Sequence, residues 1–293
     1  MPIVAKQMHP VFAAELSGID LGRPMDEATL VEFLAAMDRY AVCAVHHAVP
    51  LSDEQHIAFS KRLGPVHKTR AATTKPGREP RVRHLEIIDQ SNLDEYGDLF
   101  QEGDRSLLFK RANRLWHTDM SFNPVRATYS LLSAHRLPPG GGPDTEFADM
   151  RAAYDTLPQA MKSRLDGLVC EHSYWHSRVM GGGPEATEEE LRRMPPALHP
   201  LVHVHPRSGR KVLYLASHAS RIVGWPQDEG RALIKELTEH AVEDRFVYGH
   251  KWRVGDVVIW DNLATMHRAR PFDDLEQIRD VRRTTCREAA EAA

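Results

Sequence analysis

Cysteine is scarce and scattered: Cys43, Cys170 and Cys286 are the three in 293 residues, and no two form a Cys-x-x-Cys pair. That excludes a disulfide framework and a thiolate zinc site, and the three are expected to be buried thiols. No apolar run reaches the ~18 residues a membrane-spanning helix needs. The start, Met1 to Pro10, lacks the basic-then-apolar pattern of a secretory signal, so a cytoplasmic protein is expected. Neither sign of charge dominates, with 38 Lys plus Arg against 41 Asp plus Glu and a net charge of −3. Nucleic-acid and anionic-membrane binding therefore lack their usual electrostatic footprint. Gly-x-x-x-x-Gly-Lys, Gly-x-Gly-x-x-Gly, His-Glu-x-x-His and Gly-x-Ser-x-Gly are all absent. Nucleotide-loop, zincin and esterase-elbow readings fall with them.

What is present is a globular composition, 42% hydrophobic and 27% charged with a mean hydropathy of −0.46, able to bury a sizeable core. Leu30, Leu34, Met37 and Ala41 form one helical stripe in a helix from Met25 to Tyr40. Ser52-Asp53-Glu54-Gln55 fits a capping box for a second helix that should stop at Gly64-Pro65. Between them the apolar run from Ala41 to Val45 reads as a buried strand. Residues 65 to about 107 mix charge, Gly, Pro and Thr, which predicts a long loop or lid with one strand near His84 to Ile88. Strand-like segments follow at Leu115 to Ser121, Thr128 to Ala134, Val169 to His176, Leu201 to His205, Lys211 to Ala216, Arg245 to His250, Asp256 to Trp260 and Val281 to Thr285. Helices are expected at Met150 to Gly167, Thr187 to Arg193 and Gln227 to Val242, and a frayed tail from Glu288 to Ala293. Short strands without regular β-α alternation argue for a mostly β sandwich or barrel with flanking helices.

Seventeen histidines turn attention to metal and acid–base chemistry. In Trp116-His117-Thr118-Asp119, residues i and i+2 of a strand share a face, so His117 and Asp119 can reach one metal ion. With one more histidine they would make a 2-His-1-carboxylate facial set, which leaves open positions on iron(II). His267, after the apolar segment Asp256 to Asn262, is the candidate third ligand. His84-Leu85-Glu86 is a rival of the same kind, and His203-Val204-His205, with His218, is a rival metal pair. Arg279 and Arg283 share a strand parity and can each hold a carboxylate, or else pair with Asp273, Asp274, Glu276 and Asp280 on a basic edge. Trp175, Trp225 and Trp252 read as packing.

Over most of its length the chain resembles the iron(II)- and 2-oxoglutarate-dependent taurine/2,4-dichlorophenoxyacetate dioxygenases. The resemblance is carried by His9 to Ala14, Leu51 to Gln55 with Phe59, Leu115 to Phe122, Asp144 to Asp155, Ser208 to Lys211, Gly255 to Asn262 and Met266 to Arg268. It lies nearer the 2,4-dichlorophenoxyacetate branch.

The resemblance implies a double-stranded β-helix, or jelly-roll, core in a single domain over residues 1–293, with residues 65–110 as a variable lid. It implies that His117, Asp119 and His267 bind Fe(II), that Thr145 and Arg279 hold 2-oxoglutarate, that Arg283 takes the substrate carboxylate, and that Asn113 and His205 lie near the substrate. The implied reaction hydroxylates an aryloxyacetate such as 2,4-dichlorophenoxyacetate with O2, giving a phenol, glyoxylate, succinate and CO2. A homo-oligomer is also implied. The alternatives are a taurine or alkylsulfonate dioxygenase of the same family and a non-redox cupin-like hydrolase using His203 and His205. The interval from His267 to Arg279 is one residue longer than the family shows, and a slip of one residue there would bring Arg282 to the site in place of a neighbour.

Overall fold

A computed structural model describes residues 2–69 and 81–289. Its largest element is a seven-stranded sheet in the order Val4–Gln7, Ala14–Ser17, Val42–His46, Asp256–Asp261, Ala127–Arg136, Asp280–Arg287 and Ile88–Asp89. Alternation along these strands builds two cores. Cys43, Val45, Tyr129, Leu131, Val257 and Ile259 face outward onto the two N-terminal helices, meeting Leu30, Phe33, Met37 and Phe59. Val42, Ala44, Leu132, Val258, Trp260 and Val281 face inward against Phe147 and Trp252 of the second layer.

That layer contains a three-stranded sheet ordered Val247–His250, Thr145–Asp149, Thr265–Ala269. Beyond it lie the sheet Ala219–Ile222, Val169–His172 and Ala197–Pro200, whose first strand packs on the long helix Gln227–Ala241, and the pair Lys211–Leu213 and Val202–Val204, whose first strand packs on the helix Met150–Asp155. The architecture is thus sheet-rich with helices outside, and no helix of the described residues is long and apolar enough to cross a membrane.

Both N-terminal helices form as expected, over Glu27–Tyr40 and Asp53–Leu63, the second with the reciprocal Ser52/Gln55 capping box. Several expectations need correction, among them the strand near His84 to Ile88, which is a turn leading into the two-residue strand Ile88–Asp89. The helix expected from Met150 to Gly167 is two, Met150–Asp155 and Gln159–Leu165, because Pro158 caps a new start. The strand expected through His176 ends at His172, since the Ser173 hydroxyl caps a helix Tyr174–Met180. Leu115 to Ser121 is not a strand: only His117 makes a bridge, and the chain turns at once, with Met120 left-handed at φ 55°. In the tail expected to fray, Glu288 pairs with Arg126, and residues 290–293 lie outside the described residues.

All three cysteines are free and buried, and burial pushes the thiols of Cys170 and Cys286 up to about 12.

Candidate active site

His117 and His267 are bound to each other through the backbone. The His117 N–H donates to the His267 carbonyl at 3.0 Å and the reverse bond is 2.8 Å. Asp119 enters from the turn just after the bridge. Asn262 fixes that turn: its Oδ1 accepts from the Asp119 N–H (3.2 Å) and from the Trp260 indole (3.0 Å), while its Nδ2 donates to Ser130 Oγ (2.9 Å). Ser130 in turn donates to Asp119 Oδ2 at 2.7 Å. Sequence reading missed Asn262 and Ser130, whose roles arise only through contacts across the sheet.

His117 Nε2 stands 3.9 Å and His267 Nε2 3.8 Å from the two Asp119 carboxylate oxygens. The three residues form a buried cluster whose ligand atoms all lie within 4.8 Å of one another. The His117 Nδ1–H donates to the Leu115 carbonyl at 2.8 Å, which leaves the Nε2 lone pair facing the cluster. Burial holds both imidazoles below their ordinary pKa, and so neutral. Burial pushes the Asp119 carboxyl up, but the Arg283 guanidinium foremost, with the Ser130 hydrogen bond, outweighs it and the group is held at about 2. Two neutral nitrogens and one carboxylate converging from one side match the donor set that suits non-haem iron(II).

A pocket opens from this cluster, lined by Thr145, Trp260, Leu132, Asn113, Arg279 and Arg283 among others. Thr145 lies on the strand neighbouring that of His267, with Ala269 paired to Thr145 and His267 to Phe147. The Trp252 indole donates to Thr145 Oγ1 at 3.1 Å, leaving the hydroxyl proton for an acceptor in the pocket. Trp252 therefore does more than pack.

Arg279 is 6% exposed, its guanidinium 5.8 Å from the Trp252 ring, and its Nε and one Nη have no hydrogen-bond partner among the described residues. Burial lowers its pKa to about 10. An arginine buried in this way is costly until an anion stands opposite it. Arg283 forms an ion pair with Asp119 Oδ1. Arg282 turns the other way, onto Asp53 Oδ1 at 2.8 Å, so the longer interval before Arg279 has not moved it into the pocket.

Asn113 lines the pocket and donates to Gln90 Oε1 at 2.9 Å. His205 does not. Its Nε2 pairs with Asp261 at 2.8 Å and its Nδ1 accepts from the Ser208 N–H, so it is a buried histidine closing a turn beside a separate cleft. The His203/His205 metal pair is overturned by the same geometry, because His203 Nε2 donates to the Leu263 carbonyl and neither ring has a nitrogen left for a shared ion. His84 and Glu86 diverge to Glu54 and to Lys61 and Lys68. His218 sits edge-on to His117, 6.3 Å between ring centres, and contacts Ser121 Oγ.

Comparison with known proteins agrees with this geometry. The family model described as "Taurine catabolism dioxygenase TauD, TfdA family" matches residues 5–285. The chain is 43% identical to an alpha-ketoglutarate-dependent 2,4-dichlorophenoxyacetate dioxygenase of Cupriavidus pinatubonensis, over 97% of this chain and 98% of that one. It is 35% identical to an (S)-phenoxypropionate/alpha-ketoglutarate-dioxygenase of Sphingobium herbicidovorans, over 91% of this chain and 88% of the relative. Among solved structures, AAD-2 in complex with Mn(II) and N-oxalylglycine superposes with a TM-score of 0.91 at 42% identity, covering 99% of both chains. From site geometry and overall similarity alike, this chain is a member of the TauD/TfdA family of dioxygenases.

Proposed function

We propose that the chain is an iron(II)- and 2-oxoglutarate-dependent dioxygenase that hydroxylates an aryloxyacetate-type carboxylate, with the two sheet layers forming a jelly-roll core in one domain. The observation that carries this reading is Arg279, a buried guanidinium without a counter-ion among the described residues, opening onto the same pocket as the His117, Asp119 and His267 cluster. The 2,4-dichlorophenoxyacetate dioxygenase and phenoxypropionate dioxygenase relatives support the substrate class.

His117, Asp119 and His267 would hold the metal, which with 2-oxoglutarate and O2 supplies the oxidising power for C–H hydroxylation, leaving succinate and CO2. Arg279 would pair with the distal carboxylate of 2-oxoglutarate, and the Thr145 hydroxyl would donate to it. Arg283 would hold the substrate carboxylate beside the metal, leaving its pairing with Asp119 to do so. Asn113 and Gln90 would border the substrate, and the expected lid over residues 65–110, of which 70–80 lie outside the described residues, would contribute Gln90 to Asn92 and Leu107 to the pocket wall. Hydroxylation of the carbon next to an aryl ether oxygen gives a hemiacetal, which collapses to a phenol and glyoxylate. The chain's own contribution is to hold these groups in line and to keep water out.

The test is anaerobic addition of iron(II) and 2-oxoglutarate to the wild type and to His117→Ala. A visible charge-transfer band in the wild type alone supports the reading; no band in either protein overturns it. Succinate formation across a panel of aryloxyacetates and alkylsulfonates then separates the substrate classes.

A further inference from the structure

The segment that delivers Arg279 has little regular structure of its own. Residues 270–279 lie between the strands Thr265–Ala269 and Asp280–Arg287, and no strand runs through them. Their path is set from outside, chiefly by Asn92. This residue is 5% exposed and belongs to the irregular stretch between Ile88–Asp89 and the helix Arg105–Arg111.

Every hydrogen-bonding atom of the Asn92 amide is spent on that segment. Nδ2 donates to the carbonyls of Asp274 at 2.8 Å and Gln277 at 2.7 Å, and Oδ1 accepts from the Arg279 N–H at 2.8 Å. The Asn92 N–H adds a bond to the Arg279 carbonyl at 3.3 Å. Arg279 is therefore held on both of its backbone polar groups by one residue, while its guanidinium has only the Trp252 ring beneath it. The same stretch forms the other wall of the pocket. Lys110 Nζ, from the helix Arg105–Arg111, donates to the carbonyls of Asp89 and Ser91 at 2.7 and 2.8 Å, and Gln90 between them holds Asn113.

We propose that Asn92 is a positioning residue for the cosubstrate arginine: by clamping the backbone from Asp274 to Arg279 it sets where the guanidinium presents to the distal carboxylate, and it ties that arginine to the substrate-facing wall. This rests on the 2-oxoglutarate reading above. A bidentate arginine–carboxylate pair requires a fixed direction of approach, and a backbone shift of about 1 Å at the root of a long side chain forfeits it. Leucine or methionine would fill the space but could not satisfy two carbonyls and one N–H together. A glutamine would reach too far.

The experiment uses the full chain with Mn(II) in place of iron, so that 2-oxoglutarate binding is read by calorimetry without turnover. Asn92→Ala and the near-isosteric Asn92→Asp, which keeps an acceptor for Arg279 but offers no donors to the two carbonyls, are compared with the wild type. Expected is a rise of about tenfold or more in the 2-oxoglutarate Kd in both variants, with Mn(II) affinity unchanged. In the iron enzyme KM for 2-oxoglutarate should rise by a similar factor while kcat at saturation falls much less. If one variant does not fold, the other decides. A folded variant that binds 2-oxoglutarate within twofold of wild type overturns the proposal. So does one that loses Mn(II) and 2-oxoglutarate together, because that is the mark of general damage to the pocket. Failure of the dioxygenase reading itself looks different, since the wild type would then bind no 2-oxoglutarate at all.

Discussion

Asp119 is ion-paired with Arg283, so the carboxylate of the candidate metal cluster is also the counter-ion of a cation on the neighbouring sheet. The pair decides how the metal-free protein stands. Removing the carboxylate strands a largely buried guanidinium, whereas removing both members leaves an apolar gap.

Asp119→Ala should therefore destabilise metal-free protein by about 3 kcal/mol, and adding Arg283→Met should restore most of it. Urea denaturation of the three proteins checks this, and two additive losses would show that the pair contributes nothing.

Arg279→Met should act in the opposite direction. It removes a buried charge without a counter-ion among the described residues, so metal-free protein should gain about 1–2 kcal/mol while the affinity for 2-oxoglutarate collapses. Thermal melting with and without the cosubstrate reads both effects. A melting temperature that falls in metal-free protein would show that Arg279 is compensated within the protein.

Asn262→Ala breaks the bonds to the Asp119 backbone, the Trp260 indole and Ser130 at once. Metal affinity should fall about 10–100-fold as the turn carrying Asp119 loosens. Competitive titration with a metal-sensitive dye measures it, and an unchanged affinity would mean the His117–His267 bridge alone orders the cluster.

Trp252→Phe keeps the ring under Arg279 but removes the donor to Thr145. KM for 2-oxoglutarate should rise several-fold, roughly the worth of one hydrogen bond, with the fold intact by circular dichroism. Equal KM values would assign Trp252 to packing alone.

Acid should weaken the fold through its buried histidines. Burial lowers His172 from 6.5 to about 3 and both His56 and His203 to about 4. Each takes its proton near pH 6.5 when unfolded but only near 3–4 when folded, so stability is full above pH 6.5 and falls as the pH drops from there. His172, whose two ring nitrogens have no partner among the described residues, alone should cost about 3 kcal/mol at about pH 4.5. His172→Phe should flatten the acid limb of a stability–pH curve, and an unaltered limb would place the loss elsewhere.

The parts of the fold legible in the sequence were those with strong local signals. The apolar run within Asp256–Asp261, the strand-like stretch within Ala127–Arg136 and the Ser52/Gln55 box all produced the expected elements. Thr145–Asp149 and Thr265–Ala269 were missed as strands because Thr and Asp at their ends blur the apolar pattern, and their pairing is with each other and Val247–His250. The site shows the same division. Residue spacing singled out His117 and Asp119, yet they converge through a turn and a bridge rather than strand alternation. His205, placed near the substrate by the resemblance, instead closes a turn on Asp261, and the same-face spacing with His203 could not tell such a ring from a metal ligand.

The scattered cysteines have a chemical consequence. With Cys43, Cys170 and Cys286 buried and their thiols held protonated, none can offer a thiolate to iron(II) or meet a soluble oxidant. Thiol-alkylating reagents should therefore leave all three sulfurs untouched until the chain unfolds.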